Sequence, residues 1–455
     1  MSEGGLSVRK EAWSGSDTRL ARTVARPMVR FLAQETASGV LLLVATAAAL
    51  IWANSAWSDS YHEFWETEVV FAIGSWMPFS HEGHGLSLEL WVNDALMVLF
   101  FFVVGLEIKT EVSVGDLSKP RDAALPAIAA LGGMIVPAGL YALINLGGPG
   151  IDGWGVPMAT DIAFAVGVLA LLGSRIPQKL KLFLLALAIA DDVGAIVVIA
   201  IFYTAQLHFG WLALAMGLLV TIGVLRRMRM WFTPIYVVIG FLVWYATFRS
   251  GVHATIAGVA LGLMTPARSL LGHRTFERVE DVVSGDVVSP QAARDAHWKI
   301  RESVPVTNRM LMLLSPWTSF VVIPVFALAN AGVTLSNDAV SDALSSRVTL
   351  GVIIGLVVGK PLGIWIATMS AVRFTSVRLP EGLTSTHILG AGAVAGIGFT
   401  VALFISDLAF EDPLISDQAT IGILVASVLA TLVGFGILRR LPAAKPAPSL
   451  DEVKA

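Results

Sequence analysis

A chain of 455 residues in which 55% of the side chains are hydrophobic and only 14% are charged carries too much apolar surface for an ordinary soluble domain. Its mean hydropathy of +0.74 points to a polytopic membrane protein, for which the placement of charge matters more than the net value of -3. With no cysteine, disulfides, thiolate metal ligands and thiol nucleophiles are excluded.

Residues 1–30 are polar and basic, with Arg9, Lys10, Arg19, Arg22, Arg26 and Arg30. The stretch is too long and too charged for the n-region of a cleaved signal peptide, so it is expected to be a cytoplasmic tail. A solvated topology signal fits it better than a lipid-binding patch. Twelve apolar runs follow, separated by Gly, Pro or charge: 31–54, 88–110, 123–145, 154–173, 179–204, 210–225, 233–248, 251–265, 311–335, 349–370, 386–408 and 418–438. Roughly 20 apolar residues span a bilayer, so the expected fold is an all-α polytopic membrane protein with a transmembrane domain over 31–439 and a short C-terminal tail, 440–455. The runs within 233–265 also read as one long kinked pair. Residues 55–87 are rich in Trp, His and Glu and too polar to span; an external cap or an oligomer contact is expected there. Segment 266–310, with RTFERVEDVV and ARDAHWKIRES, reads as a cytoplasmic linker in preference to an amphipathic surface helix.

Lys and Arg set the orientation. None occurs between Arg30 and Lys109, and the basic residues then cluster at every second boundary: Lys109, Lys119 and Arg121; Arg175, Lys179 and Lys181; Arg226, Arg227 and Arg229; a group from Arg268 to Arg309; Arg373 and Arg378; Arg439 and Arg440. The alternate loops hold only Arg249 and Arg347. The positive-inside rule then places both termini in the cytoplasm and makes the number of spans even.

Against this apolar background a few polar groups stand out. Asp191 and Asp192 sit mid-span in LKLFLLALAIADDVGAIVVIAIFY (Leu180–Tyr203). One ionised side chain at that depth costs about 2.5–3.5 kcal/mol on insertion scales. Two must be neutralised by protons, a partner cation or a bound metal ion, and one cationic partner cannot easily serve both, because adjacent helix positions point about 100° apart. A site that exchanges cations is therefore favoured over a structural pair. Pro157-Met-Ala-Thr160-Asp161 places a hydroxyl and a carboxylate where Pro157 interrupts the fourth span, and a broken helix offers free N–H and C=O groups to charge. The glycine run Gly390-Ala-Gly392-Ala-Val-Ala-Gly396-Ile-Gly398-Phe399-Thr400 suits a second interruption; alone it would read as close helix packing. The two breaks lie in the middle of triplets seven spans apart, the arrangement of an inverted repeat. Lys360 lies near mid-depth in the tenth span, and its natural partner is one of the two aspartates. Asp94 near the start of the second span is a pH-response or entrance candidate, or simply a helix cap. Glu107 and Glu111 at its cytoplasmic end share a helix face and read either as an entrance that gathers cations or as a solvated helix end. His253 in the eighth span is a pH-sensor candidate or a structural imidazole.

TDIAFAVGVLALLGSR (Thr160–Arg175), LAIADDVGAI (Leu187–Ile196), SGVHATIAG (Ser250–Gly258), ANAGV (Ala329–Val333), GKPLGI (Gly359–Ile364), AGIGFTVALFI (Ala395–Ile405) and WVNDALMVLFFFVVGLEIK (Trp91–Lys109) resemble the NhaA family of bacterial sodium/proton antiporters. The resemblance runs in order from about Phe31 to Arg439. It implies twelve helices, two of them broken and crossing near the midplane. It implies Asp192 as the principal ion ligand, Asp191 as the salt-bridge partner of Lys360 and a participant in proton exchange, and Thr160 with Asp161 as further members of the site, Asp161 compensating the dipoles of the broken helices. The implied activity is electrogenic exchange of Na⁺ or Li⁺ for incoming protons in the bacterial inner membrane, serving Na⁺ and pH homeostasis, by a protein that is no enzyme. The implied partners are the transported ions, the lipid bilayer and a second copy of the chain in a homodimer, with no cofactor and no nucleic acid.

One departure stands in the ninth span. Where many members carry a Glu-His-x-x-His-Pro-Trp-like pattern linked to pH activation, this chain reads Leu311-Met312-Leu-Leu-Ser315-Pro316-Trp317, and the basic residue often found after the lysine of the second span is Thr110. A shifted or shallower pH profile is expected. An intramembrane aspartyl protease is disfavoured because its two carboxylates must face each other from separate helices. A passive cation channel would need a continuous wet path, and an organic-anion carrier would not need the Asp191, Asp192 and Lys360 set.

Overall fold

The computed structural model describes residues 36–442, apart from 73, 75–76, 82–83, 205–206, 229, 231–232, 270–290, 292–293 and 295–301. The expected N-terminal tail, the expected C-terminal tail beyond residue 442 and most of the expected 266–310 linker lie outside the described residues. Each of the twelve apolar runs holds a helix. Among the described residues, eight helices are long and apolar enough to cross a membrane, or up to ten if each of two bent pairs is one span.

The first described element is α1 (Thr36–Ala53), which turns by 113° into α2 (Ser58–Glu66). Tyr61 and Trp65 of the amphipathic α2 are buried, and the Tyr61 hydroxyl donates to the carbonyls of Leu328 and Ala329 at 2.9 and 2.8 Å. Next come three short antiparallel strands, β1 (Glu68–Val69), β2 (Ser80–His81) and β3 (His84–Ser87), in the order β1-β3-β2. This small sheet corrects the all-α expectation. Alternation in so short and polar a stretch leaves little trace in sequence.

α3 (Leu88–Ser113) starts at Ser87, whose hydroxyl accepts from the Leu90 N–H, and contains a π-helical turn over Val92–Leu96. Asp94 therefore does not cap this helix as expected; it lies inside it. α4 (Pro120–Ile144) leads to a 3₁₀ helix, Ile151–Met158, then an extended step and α5 (Ile162–Leu172). α6 (Gln178–Phe202), α7 (Phe209–Arg227), α8 (Thr233–Arg249) and the short α9 (Thr255–Met264) follow. α9 begins later than its apolar run because Gly251 takes a positive φ of 83°, which ends the preceding helical path.

α10 (Val306–Asn330) begins five residues before the expected position and stops five short of it. Val333 beyond its end gives its carbonyl to the Asn54 side chain instead of to a helix. α11 (Asn337–Ser345) is polar; α12 (Arg347–Phe374) carries a π turn at Gly355–Gly359. α13 (Ser385–Ala395) and α14 (Phe399–Ala409) form the second bent pair, at 51°, and α15 (Pro413–Arg439) closes the fold.

Helix packing divides the described spans into two bundles. In one, α4 runs along α6 and α12, and α12 and α13 pack on α15, with the 3₁₀ helix and α14 between them. In the other, α3 packs most closely on α9 and also on α10, α10 on α1, and α8 on α7 and α9. Glycines permit the two tightest contacts. A Cβ on Gly105 or Gly262 would strike the backbone of the facing helix in the α3–α9 pair, as would one on Gly132 or Gly363 between α4 and α12.

Candidate functional site

The site is assembled where the two helix breaks meet. The 3₁₀ helix ends at Met158, and residues 159–161 run extended before α5 begins. On the other chain segment α13 stops at Ala395, and Gly396-Ile397-Gly398 separates it from α14. The Asp161 N–H donates to the Ile397 carbonyl at 2.6 Å, tying one break to the other.

Asp161 then closes both new helix starts. Its Oδ1 accepts from the Phe164 N–H at 3.0 Å as the N-cap of α5. Its Oδ2 accepts from the N–H of Thr400 at 3.2 Å and from its hydroxyl at 2.7 Å at the first turn of α14. Two helix N-termini, each with unsatisfied N–H groups and the positive end of a dipole, thus share one carboxylate that is 3% exposed. The opposite polarity appears at the other ends of the breaks. The Met158 carbonyl accepts from the Lys360 ammonium, and the Ala395 carbonyl accepts from the Thr160 hydroxyl at 3.0 Å.

Lys360 is the centre of this second set. It directly follows the Gly355–Gly359 π turn of α12, a local widening that re-aims the side chains after it. The ammonium, 0% exposed, lies 2.6 Å from Asp191 Oδ2 on α6. The same oxygen takes the Thr160 hydroxyl at 2.7 Å, while Asp191 Oδ1 is buried with no hydrogen-bond partner. Asp192, the next residue on α6, is 7% exposed, and among the described residues no hydrogen-bond donor reaches it. It lies within electrostatic reach of Asp191, Glu107, Lys360 and Asp161. Mutual repulsion and attraction thus meet on one carboxylate that has no dedicated partner.

Of the residues singled out in sequence, the fold brings Asp191, Asp192, Lys360, Thr160 and Asp161 together, with Glu107 half-buried on the facing α3. Glu111 is one turn further along α3, also half-buried. Asp94 and His253 make their contacts elsewhere. The Asp94 carbonyl accepts from the Trp244 indole at 2.8 Å, and the His253 Nε2 lies against the Tyr203 carbonyl at the far end of α6. Among the described residues, no group of three or more His, Cys, Asp and Glu side chains is arranged to hold a metal ion. Two members of the site escaped sequence reading. Thr400 was visible as the first hydroxyl after the glycine run, but its pairing with Asp161 joins residues 239 apart. The Met158 carbonyl is backbone and leaves no side-chain signal.

A sequence model of the family described as Na⁺/H⁺ antiporter 1 matches residues 29–438. The chain is 45% identical to the Na⁺/H⁺ antiporter NhaA 2 of Myxococcus xanthus, over 99% of this chain and 97% of the relative. It is also 45% identical to the Na⁺/H⁺ antiporter NhaA 3 of Frankia alni, over 96% and 94%, and to the Na⁺/H⁺ antiporter NhaA of Rhodopirellula baltica, over 91% and 93%. With a family match across nearly its whole length and relatives of this similarity, the chain belongs to the Na⁺/H⁺ antiporter 1 (NhaA) family of multi-pass membrane proteins.

Proposed function

We propose that the chain exports Na⁺, and also Li⁺, in exchange for protons, by alternating exposure of the site built from Asp191, Asp192, Lys360, Thr160 and Asp161. The observation that carries this reading is the buried pair of Lys360 and Asp191 beside an Asp192 with no partner of its own. A buried ion pair without function costs more in desolvation than apolar side chains of like size would. A carboxylate left unpaired next to it is stable only with a proton or a cation bound.

Competition for those carboxylates gives exchange. With Asp192 protonated and Lys360 paired to Asp191, the site is neutral. When Na⁺ enters between the carboxylates, Asp192 loses its proton. If Na⁺ also takes Asp191 from Lys360, the ammonium loses its pair and releases a second proton. Two protons are then exchanged for one Na⁺, and one net charge moves per cycle. The loaded forms cross because their charge is compensated inside the protein, whereas the bare site does not. Thr160 and the carbonyls freed at the two breaks supply neutral oxygens of the kind a hard monovalent cation prefers.

The wider reading follows the same reasoning. The domain is taken to run over 31–439 with twelve spans, two of them broken and crossing at the site. Both termini and the basic loops face the cytoplasm of a bacterial inner membrane, and the sheet faces outward. A homodimer is expected, and Glu107 and Glu111 are assigned to the cytoplasmic entrance.

The test uses everted vesicles from a host without antiporters of its own, acidified and then given NaCl, LiCl or KCl across a range of pH. Recovery of the gradient with Na⁺ or Li⁺, lost in Asp192→Asn, is the expected result. Na⁺ flux without proton movement would replace antiport by a passive channel, and undiminished exchange in Asp192→Asn would remove the residue from the site.

A further inference from the structure

A second buried polar network lies at the sheet end of the bundles, away from the Asp191–Lys360 pair. Asn93, 3% exposed in the π turn of α3, donates to Asn330 Oδ1 at 3.0 Å and to Asp407 Oδ2 at 3.0 Å. Asn330, the last residue of α10, returns a bond to Asn93 Oδ1 at 2.9 Å and donates to the Phe326 carbonyl at 2.9 Å. All four amide hydrogens of the two asparagines are therefore used. The Asn93–Asn330 pair is internal to the bundle of α3 and α10. The bond to Asp407 leaves that bundle and reaches α14, which packs with the 3₁₀ helix and α15 of the other.

α14 connects this bridge to the site. Thr400, held by Asp161, and Asp407 are seven residues apart on one unbroken helix. Seven residues are close to two turns, so the two side chains share a face about 10 Å apart along a stiff rod. A displacement of the site-bearing breaks relative to α3 and α10 would therefore fall on the Asn93–Asp407 bond.

We propose that Asp407 is a positioning residue of the exchange cycle. Its carboxylate and the Asn93 amide, braced by Asn330, form a releasable bridge that holds the two bundles together at the sheet end and parts when the site opens to that side. The proposal rests on the antiport reading for its role in a cycle, but the bridge itself is tested without transport.

The chain has no cysteine, so Ser406→Cys introduces a single thiol at a position 1% exposed, next to the bridge. Its rate of reaction with a charged, membrane-impermeant thiol reagent added from the sheet side reads how often that side opens. Adding Asp407→Ala or Asn93→Ala should raise the rate about three-fold, the effect of losing one average hydrogen bond between membrane helices. Asp407→Asn, which keeps an acceptor oxygen, should return it most of the way. Unchanged labelling in an Asp407→Ala protein that elutes and melts normally would overturn the proposal. As a second reading, Asn93→Cys with Asp407→Cys, joined by a short reducible bis-thiol reagent, should stop exchange until reduction; normal exchange while joined would also overturn it. Labelling needs no ion gradient. A chain that fails to exchange Na⁺ would thus sink the antiport reading and leave the labelling outcome separate.

Discussion

The two helix bundles are built on opposite principles. The one formed by α1, α3 and α7–α10 is held by apolar and aromatic contacts, such as Phe79 stacked on Trp244, and by the close approach of Gly105 to Gly262. Its buried polar groups are mainly hydroxyls bonded within their own helices, as at Thr46, Thr247 and Thr318, with the Asn93 amide and a Glu302–Arg309 ion pair at the start of α10. The bundle of α4–α6 and α12–α15 buries three carboxylates and an ammonium at two interruptions of its own backbone. The difference teaches where function sits in a membrane protein. Van der Waals packing suffices for a scaffold in lipid, whereas buried charge persists only where a structure compensates it.

Removing that compensation should have the largest effect. Lys360→Ala leaves Asp191 buried beside only the Thr160 hydroxyl, a loss of about 3–5 kcal/mol by analogy with broken buried pairs. Exchange should vanish, and thermal unfolding in detergent should move down by many degrees. A Lys360→Ala protein with normal stability and exchange would erase the contrast between the bundles. Asp161→Ala should come next. It uncaps α5 and α14 together, at about 1 kcal/mol per cap, so stability should fall by roughly 2 kcal/mol and exchange should drop sharply. Asp161→Asn keeps one acceptor oxygen, enough for one of the two helix starts, and turns an NH2 toward the donors of the other, so it should recover about half of the stability and less of the exchange. A melting curve and a vesicle assay on both variants separate the capping role from the charge.

Within the scaffold, Gly105→Val tests packing alone. The added side chain meets the α9 backbone at Val259 and Gly262, so overpacking of about 1–3 kcal/mol should lower stability and yield, with the apparent Na⁺ affinity of the surviving protein unchanged. The smallest effect is expected at the boundary. Glu107→Gln removes a half-buried charge facing Asp192, and should change apparent Na⁺ affinity by a few-fold, with little change in maximal rate. A loss of all exchange would move Glu107 from the approach into the site. The Leu311–Trp317 segment, which lacks the His and Glu of many family members, leads to one more expectation: activity should rise more gradually with pH than in relatives carrying them. A steep alkaline rise in the vesicle assay would refute it.

Much of the site was legible because the membrane makes polar residues conspicuous. Asp191, Asp192 and Lys360 are costly at mid-span, and that cost alone marked them before any contact was known. Asp94 does not cap α3, because the helix begins at Leu88, where the apolar run begins, and the Ser87 hydroxyl holds that cap, leaving Asp94 inside the π turn. The pairing of Thr400 with Asp161 and of Asn93 with Asp407 joins residues 239 and 314 apart, where no periodicity or spacing carries information.

Composition and hydropathy by themselves determined that the chain is a multi-pass membrane protein, where its apolar runs lie, and which charged groups need an explanation. They could do so because transfer into lipid is a cost summed residue by residue along the chain. Composition left open which carboxylate Lys360 serves, and the family resemblance implied Asp191; tertiary structure alone decided that Asp161 accepts from the starts of two helices and that Asp192 stays without a hydrogen-bond partner. Those outcomes depend on distances between segments that meet only when the two breaks are packed face to face, and hydrogen bonds act over about 3 Å.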